Sequence, residues 1–417
     1  MLSLRALSGW TALIGFLAIP AQATPAITDP GQGLVSFASG QVGELSGITY
    51  VGGDQYLLVS DNSSVLAHAT ITIDAATGQI TGSPTIDSTT TLLGGSDLEG
   101  IAYDPRDASI LASDEASHTL MRFNPTTGAL LGSVDVPAVY LNARGNRSLE
   151  SLSMDRAGYR LWTANEEALA DDGDTSTDAA GTYVRLQQFD ADGLASAQYA
   201  YLTDPHTGTD NFAGLAQSGV ADVLALPTGE LIVMERELGG NGFLPDFRIR
   251  LYLIDTAGAT DTAAITALGA GGFTPAAKTL LDEFDTSFSN IEGIALGPML
   301  NNGDYALIMV SDDGATFNEQ NLITRRLSGV GLVGDLNGDW AVDAADLTLV
   351  MAHWGNAVTA GDLTQGDVTG DGQVGVSDLD AVLGNWTDGQ APSADVPEPA
   401  SAASLSALLG LTLRRRG

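Results

Sequence analysis

Between Thr24 and Gly331 the chain is punctuated by short apolar runs that end in acidic or turn-forming residues, and one two-part phrase recurs. An acid leads a short apolar run, and further along a second apolar run ends in acids or amides. The copies are GELSGITY with YLLVSDNS, DLEGIAYDP with ILASDEAS, SLESLSMDR with RLWTANEE, GVADVLALP with ELIVMERE, and NIEGIALGP with ALIMVSDDG. Short apolar runs bounded by Asp-Pro, Gly-Gly or Thr-Gly read as strands. The leading acids Glu44, Glu99, Glu150, Asp222 and Glu292 are 55, 51, 72 and 70 residues apart. Paired short strands repeating at such a period predict a radial or stacked β architecture. The fold expected over 24–331 is therefore mainly β: a propeller with five visible blades and a sixth closed by the two ends of the domain. A β-sandwich with long loops is the alternative.

The pattern changes at Asp335. DLNGDWAVDAADLTLVMAHWG is followed, 32 residues on, by DVTGDGQVGVSDLDAVLGNWT. In each copy oxygen-bearing side chains occupy loop positions 1, 3, 5 and 12: Asp335, Asn337, Asp339 and Asp346, then Asp367, Thr369, Asp371 and Asp378. Calcium takes six to eight oxygens, and a 12-residue loop wraps it with this alternation, adding a backbone carbonyl at position 7. Those carbonyls belong to Ala341 and Gln373. Gly372 stands at the sharp-turn position of the second loop, and Trp340 stands there in the first. Leu347, Val350 and Trp354 follow the first loop at helical spacing, as Leu379, Val382 and Trp386 follow the second. A small α-helical, EF-hand-like module over 332–389 binding two Ca²⁺ is expected.

The ends read as addresses. MLSLRALSGWTALIGFLAIPAQA carries one basic residue, an apolar run and small residues, the pattern of a secretory signal over 1–23. From 390 to 417 a linker leads into VPEPASAASLSALLGLTLRRRG, a short apolar stretch before three arginines.

Composition narrows the chemistry. Asp and Glu number 52 against 17 Lys and Arg, a net charge of −35, which repels nucleic acid. No cysteine is present, so disulfides, thiolate metal sites and thiol nucleophiles are excluded. The four histidines show no metal-ligand spacing, and no GxSxG elbow occurs. What remains is carboxylate chemistry. Propeller strands converge on a channel, so acids at equivalent places in successive blades meet in a ring. A crowd of ionised carboxylates needs cations. The candidate metal ligands in the propeller are Glu44, Asp61, Asp114 and Asp312. The alternative is that each acid caps a turn of its own blade. Glu99, Glu150 and Glu292 are candidates for general base, with Arg144 and Arg147 placed to meet an anionic substrate. Arg236, between Glu235 and Glu237, reads more simply as a structural ion pair.

Three resemblances attach to these residues. The duplicated loops, with Asp at position 12 and no helix before the first, resemble the type I dockerin family over about 335–388. This implies a two-calcium module and a cohesin-like receptor as partner. The Pro-Glu-Pro tail resembles the PEP-CTERM sorting signal, implying processing by an exosortase-type enzyme and delivery to the cell surface or extracellular matrix. The E-G-I phrases at Glu99 and Glu292, with variants at Glu150 and Glu44, resemble the phytase-like family with esterase activity over most of 35–327. This implies a metal-dependent hydrolase of small anionic or ester substrates. A non-catalytic calcium-stabilised binding propeller and a lactonase-like propeller enzyme are the competing readings.

Overall fold

The repeated phrases fold into antiparallel hairpins because each apolar run is bounded by turn residues. The hairpins assemble into five sheets around one axis. The structure, a computed structural model, describes residues 24–387 except 39–41, 62, 146, 156–158, 209–215, 242–243 and 313–319. The leader expected over 1–23 and the tail expected over 390–417 lie outside the described residues.

From the axis outward, the first blade runs Leu45–Gly52, Gln55–Ser60, Val65–Ile73 and Ile80–Thr91. The second runs Leu98–Asp104, Ser109–Asp114, Thr119–Phe123 and Leu130–Val134. Ser153–Met154, Leu161–Ala164, Tyr183–Phe189 and Ala195–Leu202 make the third. Gln217–Ala225, Leu231–Asn241, Leu244–Asp255 and Ala277–Ser287 make the fourth. The fifth takes Asn290–Met299, Tyr305–Asp312 and Asn321–Ser328 from one end of the domain. Its outermost strands, Ala26–Thr28 and Val35–Ser36, come from the other end and pair with Asn321–Ser328.

The propeller thus has five blades, not the six expected. The two chain ends do meet in one blade, but they complete the fifth instead of adding another. Inner strands of successive blades pack side by side, and Asn290–Met299 packs against Leu45–Gly52, closing the ring.

Five apolar clusters fill the five gaps between blades. Tyr56 and Leu58 point into the gap with the fifth blade, whereas Leu57 and Val59 point into the gap with the second. A strand buried on both faces reads as a continuous apolar run, which is why YLLV does not alternate. The gap between fourth and fifth blades is filled by residues such as Met234, Leu251, Leu307 and Met309, all fully buried.

Each calcium-type loop is followed by a helix, α1 (Ala344–Ala352) and α2 (Val376–Gly384). The helices pack through Val350, Leu379 and Val382, with Leu347, Trp354 and Trp386 partly buried around them. The ends of the module are tied where Val342 N–H donates to Thr387 Oγ1 at 2.7 Å and Thr387 N–H donates back to the Val342 carbonyl at 3.0 Å.

Candidate metal centre and active-site cavity

In each blade an apolar residue on the inner strand, or on the segment just before it in the third, pairs across to the second strand. These pairs are Leu45–Ser60, Leu98–Asp114, Leu149–Asn165, Val220–Glu235 and Ile291–Ser311. A register shift follows at once in the first, second, fourth and fifth blades. Such a bulge re-aims the extra side chain. The residues after these apolar positions are Ser46, Glu99, Glu150, Ala221 and Glu292. The residues after their partners are Asp61, Glu115, Glu166, Arg236 and Asp312. The glycine of the E-G-I phrase has a steric cause: a Cβ on Gly100 would sit 2.2 Å from Leu152 N in the next blade, and one on Gly293 2.6 Å from the Ser46 carbonyl. Neighbouring inner strands touch backbone to backbone there, which brings the acids together.

They converge on a cavity of about 550 Å³ lined by Asp61, Glu99, Glu150, Glu166, Glu292, Arg144, Gly145, Arg147, Gln217 and Arg236. Asp61, Asp97 and Glu99 each present an oxygen within 4.8 Å of the other two. Burial, then the nearby Asp61, Glu292 and Glu115, hold Glu99 well above the usual carboxylate range. Burial, then Glu99 and Glu166, do the same for Glu150. Burial pushes Glu115 up to about 7, and pushes Glu292 up to about 8 against the pull of Arg236. Arg236 bridges Glu166 and Glu292, both at 2.5 Å, and also donates to Asn290 at 3.0 Å. Arg147 pairs with Glu167 at 2.5 Å and donates to Gln217 at 3.0 Å. Arg144 donates to the carbonyls of Ala168, Ala170 and Gly173.

The other expected residues lie elsewhere. Glu44 sits two positions before the true ring position, Ser46, in left-handed backbone with φ 54°. Its carbonyl accepts the Asp61 N–H at 2.7 Å. Asp114 accepts from Ser96 and Ser117 N–H groups at 2.8 and 2.9 Å, so it caps turns of its own blade. Asp312 stays near the rim and contributes to the upward push on Glu292. Asp222, one place past the ring, accepts Ile294 N–H at 2.8 Å and ties the fourth blade to the fifth. Glu235 is turned away, paired with Lys278 at 2.9 Å. Sequence reasoning missed Asp97, although its spacing of two from Glu99 in S-D-L-E was a readable signal.

The fit to a hard divalent cation is good. All donors in the cluster are carboxylate oxygens, and buried oxygens of Asp97 and Glu115 have no hydrogen-bond partner among the described residues.

The C-terminal loops present a second donor set. Asp335 accepts from Gly338 and Trp340 N–H at 2.8 and 3.0 Å, and Asp367 from Gly370 and Gly372 at 2.9 and 2.8 Å. Asp346 accepts from Leu336 N–H at 2.7 Å, as Asp378 does from Thr369 at 3.0 Å. Asp339 and Asp371 accept the N–H groups of Ala341 and Gln373 at 2.9 and 2.8 Å. Asn337 Oδ1 accepts Asp339 N–H at 2.9 Å. The two loops share the bonds accepted at positions 1 and 5, and position 6 is left-handed in both, Trp340 at φ 68° and Gly372 at φ 79°. Burial pushes Asp335 up to about 6. Burial also opposes the charge of Asp367, but N–H groups of Gly361, Gly372 and Gly370 outweigh it and hold this carboxyl below its usual range.

No curated protein matches the chain. Among solved structures, a luciferin-regenerating enzyme is similar at 12% identity and a TM-score of 0.34, over 72% of this chain and 96% of that one. Regucalcin, a calcium-binding protein from Agrobacterium tumefaciens strain C58, is similar at 13% identity and TM-score 0.35, over 71% and 96%. The PQQ-bound aldose sugar dehydrogenase of Streptomyces coelicolor is similar at 15% identity and TM-score 0.34, over 73% and 99%. At such scores these likenesses carry nothing over to this chain. A type I dockerin domain model matches residues 333–383. The phytase-like model, described as esterase-like activity of phytase, matches residues 40–315, most of the chain. The chain therefore belongs to the phytase-like family, as a calcium-associated propeller of extracellular or cell-surface type that carries a type I dockerin domain.

Proposed function

We infer that the protein is an exported, surface-associated, calcium-dependent hydrolase of phosphoesters or carboxyl esters, with its active site in the acid-lined cavity. One observation carries the reading: five carboxylates and three arginines line a single cavity in which two acids sit far above their ordinary range. Asp61, Asp97 and Glu99 would hold the cation. A bound divalent ion polarises an ester oxygen and acidifies water. Glu292, near 8 and strapped by Arg236, is poised to exchange a proton close to neutral pH. Glu150, surrounded by Glu99 and Glu166, is the alternative proton carrier. Arg144 and Arg147 flank Gly145 on the cavity wall and would orient an anionic group. The leader and the tail, as read from sequence, would carry the chain out and bind it to the surface, and the dockerin domain would meet a cohesin-like receptor.

A second reading has its own support. All three cavity arginines already have protein partners. A cavity so satisfied suits a propeller that binds a surface ligand and uses calcium only for rigidity. The separating experiment is a hydrolysis screen of the purified protein with and without calcium. It spans phytate, p-nitrophenyl phosphates, carboxyl esters and lactones. Turnover that needs calcium and is lost in Glu292→Gln supports hydrolysis. Silence on every substrate with metal present sinks it in favour of ligand binding, and turnover confined to lactones reassigns the substrate.

A further inference from the structure

The module rests on the propeller through its first repeat. The indole of Trp340, the residue at position 6 of the first loop, stacks on Tyr305 with ring centroids 4.5 Å apart and planes at 16°. Tyr305 is 2% exposed and opens the second strand of the fifth blade. Beside it Leu363 N–H donates to the Asn301 carbonyl at 2.7 Å. Each partner offers a glycine where the other approaches. A Cβ on Gly303 of the propeller would lie 2.9 Å from Leu363 Cδ1, and one on Gly338 of the loop 3.0 Å from Met299 Cβ. The contact falls at the Met299–Tyr305 hairpin. Glu292 is near the opposite end of the same inner strand, roughly 20 Å away. Docking therefore leaves the acid cavity clear.

The two repeats are not equivalent in this. At the matching position the second loop has Gly372, which carries no ring. A bulky residue in left-handed backbone is disfavoured. Trp340 adopts it at φ 68°, and its N–H is held by Asp335, the first residue of the loop. The turn that aims the indole at Tyr305 is thus the turn that wraps the cation site.

We propose that the first calcium loop is an intramolecular latch: closed on calcium, it presents Trp340 to Tyr305 and clamps the module on the propeller face opposite the acid cavity. The calcium dependence rests on the reading of Asp335–Asp346 as a calcium loop. The docking contact does not.

Amide exchange of the full-length protein tests the latch, with calcium uptake followed by calorimetry on the same samples. With calcium, the Met299–Tyr305 hairpin and the Leu363 amide are protected. Asp339→Asn in the first loop accelerates their exchange at least tenfold while Leu231–Asn241 in the fourth blade is unchanged, and EGTA removes the hairpin protection as well. Asp371→Asn in the second loop leaves the hairpin protected. Trp340→Gly loses that protection yet keeps calcium in the first loop. Hairpin protection unaltered by EGTA, or by Trp340→Gly, overturns the proposal. So does equal loss with Asp371→Asn, which would place control in the second loop. If Trp340→Gly destabilises the module, Leu363→Ala reads the same contact from its other side. Absence of calcium uptake by the first loop removes both the latch and the calcium reading beneath it, and calorimetry tells this apart from a loop that binds calcium without docking.

Discussion

Glu99 and Glu115, buried, and Glu150 and Glu292, half-buried, share a rim where desolvation and mutual repulsion favour the protonated form. The sign of the consequence is fixed by linkage. The unfolded chain releases these protons near the ordinary 4.5, whereas the folded chain keeps them up to about 7 for Glu115 and about 8 for Glu292. Between those limits the folded state binds more protons, so its stability falls as pH rises. In EDTA the propeller melting temperature is therefore expected to drop from pH 5 to pH 8. Calcium, which favours the ionised acids, should reverse the slope. Glu99→Gln removes one repelling acid and one ligand, so it should raise the melting temperature at pH 8 in EDTA and weaken cavity calcium at least about tenfold. Melting curves at several pH values with and without calcium check all three outcomes. A flat profile in EDTA would show that the acids are not crowded as described.

At the scale of the element, the inner strand is the unit that builds the cavity. Its bulge turns a glutamate inward, and the glycine after it lets the next blade approach. Gly100→Ala would force a methyl to within 2.2 Å of Leu152 N. It should cost about 1–3 kcal/mol by overpacking, read from denaturant unfolding, and should displace Glu99 from Glu150 as well. The two contributions separate if calcium affinity falls further than stability. The helices of the module follow a more local logic. Asp346 accepts Asp343 N–H at 2.8 Å, and Asp378 accepts Gly375 N–H at 2.9 Å. The last residue of each loop therefore organises the first turn of the following helix, and this coupling is contained in a dozen consecutive residues.

Across the whole molecule, closure is the controlling event. Ala26 pairs with Ser328 and Val35 with Leu322, so strands from the two ends of the domain lock the fifth blade. Removing residues 24–37 would leave Asn321–Ser328 as an open edge. A loss in melting temperature on the order of 10 °C, with a tendency to self-associate, is expected in calorimetry and light scattering. The sequence by itself determined whatever is encoded within short stretches: strand–turn repeats, E-G-I phrases carrying Glu99 and Glu292, and two loops whose ligands, caps and helices are contiguous. It also showed that only carboxylates and a few arginines were available for chemistry. Only the tertiary structure decided the rest. Blade number depended on a pairing between the two ends of the domain. Ring membership depended on register, since a one-residue slip in a strand sends a side chain to the other face. Register puts Ser46, two places past Glu44, and Ala221, one place before Asp222, at the ring positions, and leaves Asp114 to cap turns while Glu115 takes its place. Asp97 meets Asp61 only because adjacent blades touch, and Trp340 meets Tyr305 only because the module folds back on the propeller.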